Sequence, residues 1–292
     1  MTPIEHLQLP DGRTLDYSIS GPAEGLTLVF HHGTPGACTP VRAIDRAAHE
    51  RGFRLLCASR AGYGGSSPRP GRLVVDVVED TRALLEAIGI DRCAVAGWSG
   101  GGPHALACAA RLECATAALV IAGVAPSDAV GLPWMEGMGE DNVREFSLAM
   151  SGEQELRPFL DEARQTLKGV TAEGIVASLE SLLPDVDRVA LTGDFGEDMA
   201  TSFHEGLRVG VEGWLEDDLA FTQPWGFELN EISIPTMLWQ GERDLMVPFA
   251  HGEWLAAHIP GVSAHLEAGE GHLSIGLGAI GRILDELASA AS

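Results

Sequence analysis

The stretch Cys93-Ala94-Val95-Ala96-Gly97-Trp98-Ser99-Gly100-Gly101-Gly102-Pro103 decides the fold. Its first residues, CAVAG, are a short apolar run of the kind that forms a buried parallel strand. From Gly101 onward, GGPHALACAA is small and apolar and reads as a helix packed under a sheet. Pro103 suits the first turn of that helix, where a missing N–H costs nothing. Between strand and helix lies Gly-x-Ser-x-Gly. A serine on so tight a strand-to-helix turn is held in strained backbone geometry, with its Oγ pushed out over the carboxyl edge of the sheet. Glycine at 97 and 101 removes side chains that would collide across the turn. The N–H of Gly100, at the helix N-terminus, would then point to where an oxyanion forms. In a chain with 36 glycines the five-residue pattern alone is weak. The strand before it and the helix after it carry the reading.

Outward from this joint, strand and helix alternate. Residues 4–9 and 13–19 flank the turn Pro10-Asp11-Gly12 and read as a β-hairpin. LTLVFH (26–31) is a buried strand ending in His31-His32-Gly33-Thr34-Pro35-Gly36, followed by a helix over 41–51. FRLLCAS (53–59) is the next strand, leading into the loop Arg60-Ala61-Gly62-Tyr63-Gly64-Gly65-Ser66. Val74, Val77, Val78, Leu84, Leu85 and Ile88 recur at helical spacing, and AALVIAG (117–123) is a further buried strand.

The alternation then stops. Residues 127–230 show helical patterns and no convincing strand, with candidate helices at 141–150, 153–168, 172–183 and 198–219. Sheet pattern resumes at PTMLWQ (235–240), which runs into Gly241-Glu242-Arg243-Asp244-Leu245-Met246-Val247-Pro248. A helix over 249–258, a short strand at 263–266, His272 and a last amphipathic helix close the chain. The organisation implied is a core of residues 1–126 and 231–292, with 127–230 inserted as a helical cap.

The 292 residues suffice for one large α/β domain, and 45% hydrophobic content supports a sizeable core. Five scattered cysteines with no Cys-x-x-Cys suggest neither a disulfide framework nor a zinc site, and read as free thiols. No apolar run reaches membrane-span length and no basic–apolar leader opens the chain, so a cytoplasmic protein is expected. The net charge is −23, and residues 127–230 carry 22 acidic against six basic side chains. Such a surface repels nucleic acid and anionic lipid, leaving a small molecule as the expected partner. Runs such as Glu216-Asp217-Asp218 read as a solvated helix face, because adjacent helical residues point in different directions. Neutralising Glu216 or Asp217 is expected to change little.

Ser99, an acid after a late strand, and His272 after the last strand lie in the chain order of a Ser…Asp…His triad. With HGTPG, SRAGYGGS, GWSGG, GERDLMVP and GEGH, the sequence resembles the α/β-hydrolase superfamily along nearly its whole length. The resemblance implies a mostly parallel eight-stranded sheet with helices on both faces. It implies Ser99 as nucleophile, His272 as general base and Asp244 as the acid that orients it. Asp128, after the strand preceding the insert, is the rival acid. The backbone N–H groups of Gly100 and Thr34 would form the oxyanion hole, His32 would brace that loop, and Thr34–Pro35 is a candidate cis bond. Trp98 would sit beside the site, as a substrate contact or as packing. No cofactor or metal is implied. The expected activity is hydrolysis of a carboxyl ester, thioester or amide of a small, largely apolar molecule. HGTPG also resembles the HGGPG of prolyl aminopeptidases. A lyase, a cofactor-free oxygenase or a ligand receptor on the same fold stays open at this point.

Overall fold

The computed structural model describes residues 2–291; the outermost residues of the expected core, 1 and 292, lie outside that range. Eight strands form one sheet: β1 (Glu5–Gln8), β2 (Thr14–Ser20), β3 (Leu26–His31), β4 (Phe53–Ala58), β5 (Cys93–Trp98), β6 (Ala115–Ile121), β7 (Thr236–Gly241) and β8 (Ser263–Glu267). Their spatial order is β1-β2-β4-β3-β5-β6-β7-β8. The opening hairpin is antiparallel and pairs antiparallel with β4, whereas every pairing from β4 to β8 is parallel. All six residues of β5 are buried, as its unbroken apolar sequence requires of a central strand between two parallel neighbours.

Alternate residues of β5 feed two cores. Ala94, Ala96 and Trp98 face the layer that holds α1 (Arg42–Glu50). Cys93 and Val95 face the layer that holds α2 (Val77–Ala87) and α3 (Gly101–Arg111). The turn from β5 into α3 is so close that a Cβ on Gly97 would lie 2.0 Å from the Gly101 carbonyl oxygen. The sequence rule for this turn therefore has a direct steric cause.

Between β6 and β7 the chain is helical: α4 (Glu140–Ser151), α5 (Glu153–Leu167), α6 (Ala172–Ser178), α7 (Asp185–Ala190), α8 (Gly193–Gly206) and α9 (Glu212–Phe221). Helices α10 (Phe249–His258) and α11 (Ser274–Ala290) complete the core. The expected single helix over 198–219 is two. The chain turns at 207–211, where glycines flank the break and Arg164 of α5 donates to the carbonyls of Leu207 and Arg208. The short α7, which follows Pro184, was absent from the sequence reading.

Helix α9 overturns the expectation of a solvated acidic face. Glu216, Asp217 and Asp218 are all buried, Asp217 and Asp218 completely. Asp217 meets Arg60 and Arg72 at 2.6 Å each, and accepts from the hydroxyls of Thr34 (2.7 Å) and Tyr63 (2.9 Å). Glu216 accepts from the backbone N–H of Gly71. Burial opposes ionisation of Asp217, but the two guanidinium groups outweigh it and hold its pKa well below the usual carboxylate range. Removing one partner of such a cluster leaves buried charge uncompensated, at a cost of about 3–5 kcal/mol. Asp217→Asn should lower the urea-unfolding free energy by that order. A loss below about 1 kcal/mol would restore the solvated-face reading.

Candidate active site

Ser99 occupies the turn with φ of 56°, a conformation that L side chains rarely adopt. Strain of this kind costs on the order of 1–3 kcal/mol and persists only where the surroundings over-determine it. Here the Ser99 N–H donates to the Ile121 carbonyl and the Ser99 carbonyl accepts from Gly102, both at 2.8 Å. These bonds tie the serine to β6 on one side and to α3 on the other.

The loop after β3 approaches Ser99 closely enough that a Cβ on Gly100 would meet the Thr34 side chain at 2.3 Å. The Thr34–Pro35 bond is cis. Neither the Thr34 nor the Gly100 backbone N–H meets an acceptor among the described residues. His32 braces this loop. Its Nε2 accepts from the Arg60 N–H at 3.2 Å, so Nδ1 carries the proton and donates to the Gly33 carbonyl at 2.7 Å. Burial, reinforced by the Arg60 charge, pushes the His32 pKa well down and keeps the ring neutral. The Arg60 guanidinium also donates to Gly33 O and Thr34 Oγ1 while paired with Asp217.

His272 follows β8, and its Nδ1 lies 2.7 Å from Asp244 Oδ2. Asp244 is held in turn by the backbone N–H groups of Met246 and Val247, each at 2.8 Å, and by Gln240 Nε2 at 3.0 Å. Asp128 is exposed on the loop after β6 and makes no hydrogen bond to His272. With Nδ1 committed to Asp244, Nε2 is the nitrogen left to accept a proton. Burial pushes the His272 pKa down, but the Asp244 charge and hydrogen bond, helped by Asp187, outweigh it and set it above the ordinary value.

A second carboxylate grips the same histidine from the inserted helices. Asp187, on α7, is fully buried and accepts the backbone N–H groups of His272 (2.8 Å), Leu273 (3.0 Å) and Ser274 (2.9 Å). These amides open α11, whose N-terminus favours negative charge. A Cβ on Gly271 would stand 2.5 Å from the Asp187 carboxylate, which accounts for the second glycine of GEGH. Trp98 Nε1 donates to the His272 carbonyl at 3.1 Å, and its ring stacks on Phe195 at 6.0 Å. Trp98 therefore fixes the histidine loop as well as bordering the cavity.

Ser99, His272, Thr34, Gly100 and Trp98 all open onto one cavity of about 370 Å³. Its far wall comes from the insert, with Phe146, Phe159, Phe195 and Phe203 among the apolar residues. Asp187, Asp217 and Arg60 escaped the sequence reading because their partners are remote along the chain. One local signal was present: the acids of α9 are interleaved with Trp214, Leu215, Leu219 and Phe221, so that apolar residues surround the helix. Among the described residues no cluster of three His, Cys, Asp or Glu is arranged to hold a metal ion. No described helix is long and apolar enough to cross a membrane.

Comparison with known proteins agrees with this fold. A non-heme chloroperoxidase of Streptomyces lividans is 26% identical over 243 residues, 82% of each chain. A pimeloyl-[acyl-carrier protein] methyl ester esterase of Aromatoleum aromaticum is 27% identical over 221 residues, 72% of this chain and 76% of that one. The structure of an alpha/beta hydrolase fold protein from Chitinophaga pinensis superposes with a TM-score of 0.72 at 16% identity, covering 98% of this chain and 96% of the other. The sequence profile of the alpha/beta hydrolase fold family matches residues 27–279, and the chain belongs to that family.

Proposed function

We propose that the protein is a serine hydrolase that cleaves a carboxyl ester of a small molecule. The observation that carries this reading is the convergence of Ser99, an Asp244-bonded His272 and two unengaged backbone N–H groups on one cavity. Ser99 Oγ attacks the ester carbonyl while His272 Nε2 takes its proton. The carbonyl oxygen becomes an oxyanion that accepts from the Thr34 and Gly100 N–H groups. Collapse expels the alcohol, protonated by His272, and leaves an acyl group on Ser99. Water, deprotonated by the same nitrogen, then releases the acid. In this reading residues 127–230 form a cap over a core of 1–126 and 231–292.

A fluorophosphonate probe should label the wild type on Ser99. Ser99→Ala should lose both label and ester turnover while keeping its circular dichroism spectrum. Labelling that persists at another serine would remove the proposal.

The choice of acid is tested separately. Asn in place of the triad acid favours the wrong imidazole tautomer, and the loss in a serine protease is ~10⁴ in kcat. Asp244→Asn should fall toward that level and Asp128→Asn should not; the reverse order would reassign the acid. His272 must be neutral to act as base, so activity disappears as pH falls through its pKa. Since that pKa is raised, the acid limb of kcat/KM should have its midpoint above 6.5, the ordinary histidine value. A midpoint below 6 would contradict the ion pair.

Asp187 is a positioning residue for this reaction. Displacing a catalytic group by about 1 Å can cost ~10²-fold. Asp187→Ala should therefore lower kcat more than it raises KM. It should also move the acid limb to lower pH, because a negative charge that stabilises the imidazolium is gone. Reduced stability with an unmoved limb would make Asp187 a purely structural cap of α11.

A further inference from the structure

One polar feature of the cavity plays no part in the mechanism above. Asp218, next to Asp217 on α9, is completely buried, lines the same cavity as Ser99, and neither of its side-chain oxygens has a hydrogen-bond donor. Its neighbour Asp217 is saturated by Arg60, Arg72, Thr34 and Tyr63, so those cations are already committed. The neighbour that acts most strongly on Asp218 is a second carboxyl, Glu145 of α4, whose charge opposes ionisation of Asp218. Glu145 is anchored by Trp214 Nε1 at 2.7 Å and lines the cavity too. Neither Asp218 nor Glu145 forms an ion pair with an Arg, Lys or His among the described residues.

Two neighbouring carboxyl groups hinder each other's ionisation. Burial and the Glu145 charge push the Asp218 pKa well up, so the pair takes up a proton more readily than a free carboxylate, and neither Asp218 oxygen has a donor. An unpaired buried acceptor is costly, and a ligand that supplies the donor removes that cost. The remaining lining has the same sign: three further carboxyl side chains (Asp141, Glu162 and Asp198, the last paired with Arg42) against the single guanidinium of Arg144. Arg144 is exposed and stacks over the Phe159 ring at 5.0 Å. A cation bearing N–H groups fits this environment, and an anion does not.

The pair is also within reach of the chemistry. Phe221, one turn beyond Asp218, packs against Gly100, where a Cβ would lie 3.2 Å from its ring. One residue before Asp218, Asp217 holds the Thr34 hydroxyl. A helical turn rises about 5.4 Å. Asp218 therefore stands on the stretch of α9 that also touches Thr34 and Gly100, on the cavity that it shares with Ser99.

We propose that the Asp218–Glu145 pair is a subsite for a protonated amine, and that the preferred substrates are small esters with a largely apolar body and one basic nitrogen. This deepens the serine hydrolase reading and rests on it. The ammonium N–H groups donate to Asp218 and Glu145, and a proton that the pair has taken up leaves to solvent. The apolar walls then hold the body of the molecule against Ser99.

Two isosteric ester pairs test the subsite from either side of the scissile bond. On the acyl side, 4-nitrophenyl N,N-dimethylglycinate is compared with 4-nitrophenyl 3-methylbutanoate. On the alcohol side, 2-(dimethylamino)ethyl butyrate is compared with 3-methylbutyl butyrate. The readout is the ratio of kcat/KM, cationic over neutral, in the wild type relative to Asp218→Asn and Glu145→Gln, which cancels intrinsic reactivity. The ratio should fall at least tenfold in both variants for one of the pairs. An unchanged ratio for both pairs in a folded variant overturns the proposal.

A binding measurement separates this from failure of the hydrolase reading. Phenethylammonium is titrated calorimetrically into Ser99→Ala, and into Ser99→Ala carrying Glu145→Gln or Asp218→Asn. At least tenfold weaker binding in the double variants supports the subsite even if no ester is turned over. Equal binding, or none to Ser99→Ala, overturns it even if neutral esters are cleaved.

Discussion

The carboxylate of Asp217 is the constraint on which the site depends. A lone buried charge is expelled or neutralised, so this one exists only because five side chains from separate segments converge on it. Arg60 and Tyr63 come from the loop after β4, Arg72 from beyond it, Thr34 from the loop after β3, and His104 from α3. The cluster thus joins the inserted helices to the three core segments that surround Ser99. It is expensive to desolvate, and its partners pair it fully. In return it fixes geometry: Arg60 cannot reach Asp217 and the Gly33 carbonyl together unless the loop after β3 is folded as seen. His104 shares in this environment, its pKa pushed down to about 4 chiefly by burial, so it serves as a neutral hydrogen-bonding group.

Three neighbouring acids on one helix carry out three different tasks. Glu216 receives the N–H of Gly71, Asp217 neutralises two arginines, and Asp218 faces the cavity. The geometric premise of the sequence reading was sound, since successive helical side chains do diverge by about 100°. Its conclusion failed because α9 is enclosed on all sides, so that each direction leads into protein instead of water.

What could be read from the sequence was what local order encodes. The β5 turn, the hairpin, the helix-free-of-strand stretch between β6 and β7, and the Ser–Asp–His order all depend on residues near one another in the chain. They depend also on periodicities that burial imposes on a strand or a helix. The loop pattern pointed to Asp244 over Asp128 as the proposed acid, and in the fold Asp244 is the one that lies buried at 2.7 Å from His272. What could not be read were contacts between residues 69 to 157 positions apart: Asp187 with His272, Asp217 with Arg60, Trp214 with Glu145. An acid in a helix of six residues carries no local mark of its partner. The break at 207–211 was hidden for a similar reason, because its free carbonyls are satisfied by Arg164 from another helix.

The aspartate of α7 that holds the backbone of His272 makes the two parts of the chain inseparable in a practical sense. In protein engineering the helical insert would be treated as an exchangeable lid, swapped between scaffolds to change specificity. Here a transplanted lid that lacked a carboxylate at the α7 position would leave three amides at the head of α11 unpaired, among them that of His272. Gly271 would then border a hollow that its missing side chain was meant to clear. A chimaera built from this scaffold must therefore carry Asp187 and Gly271 across together, as one unit that spans the junction.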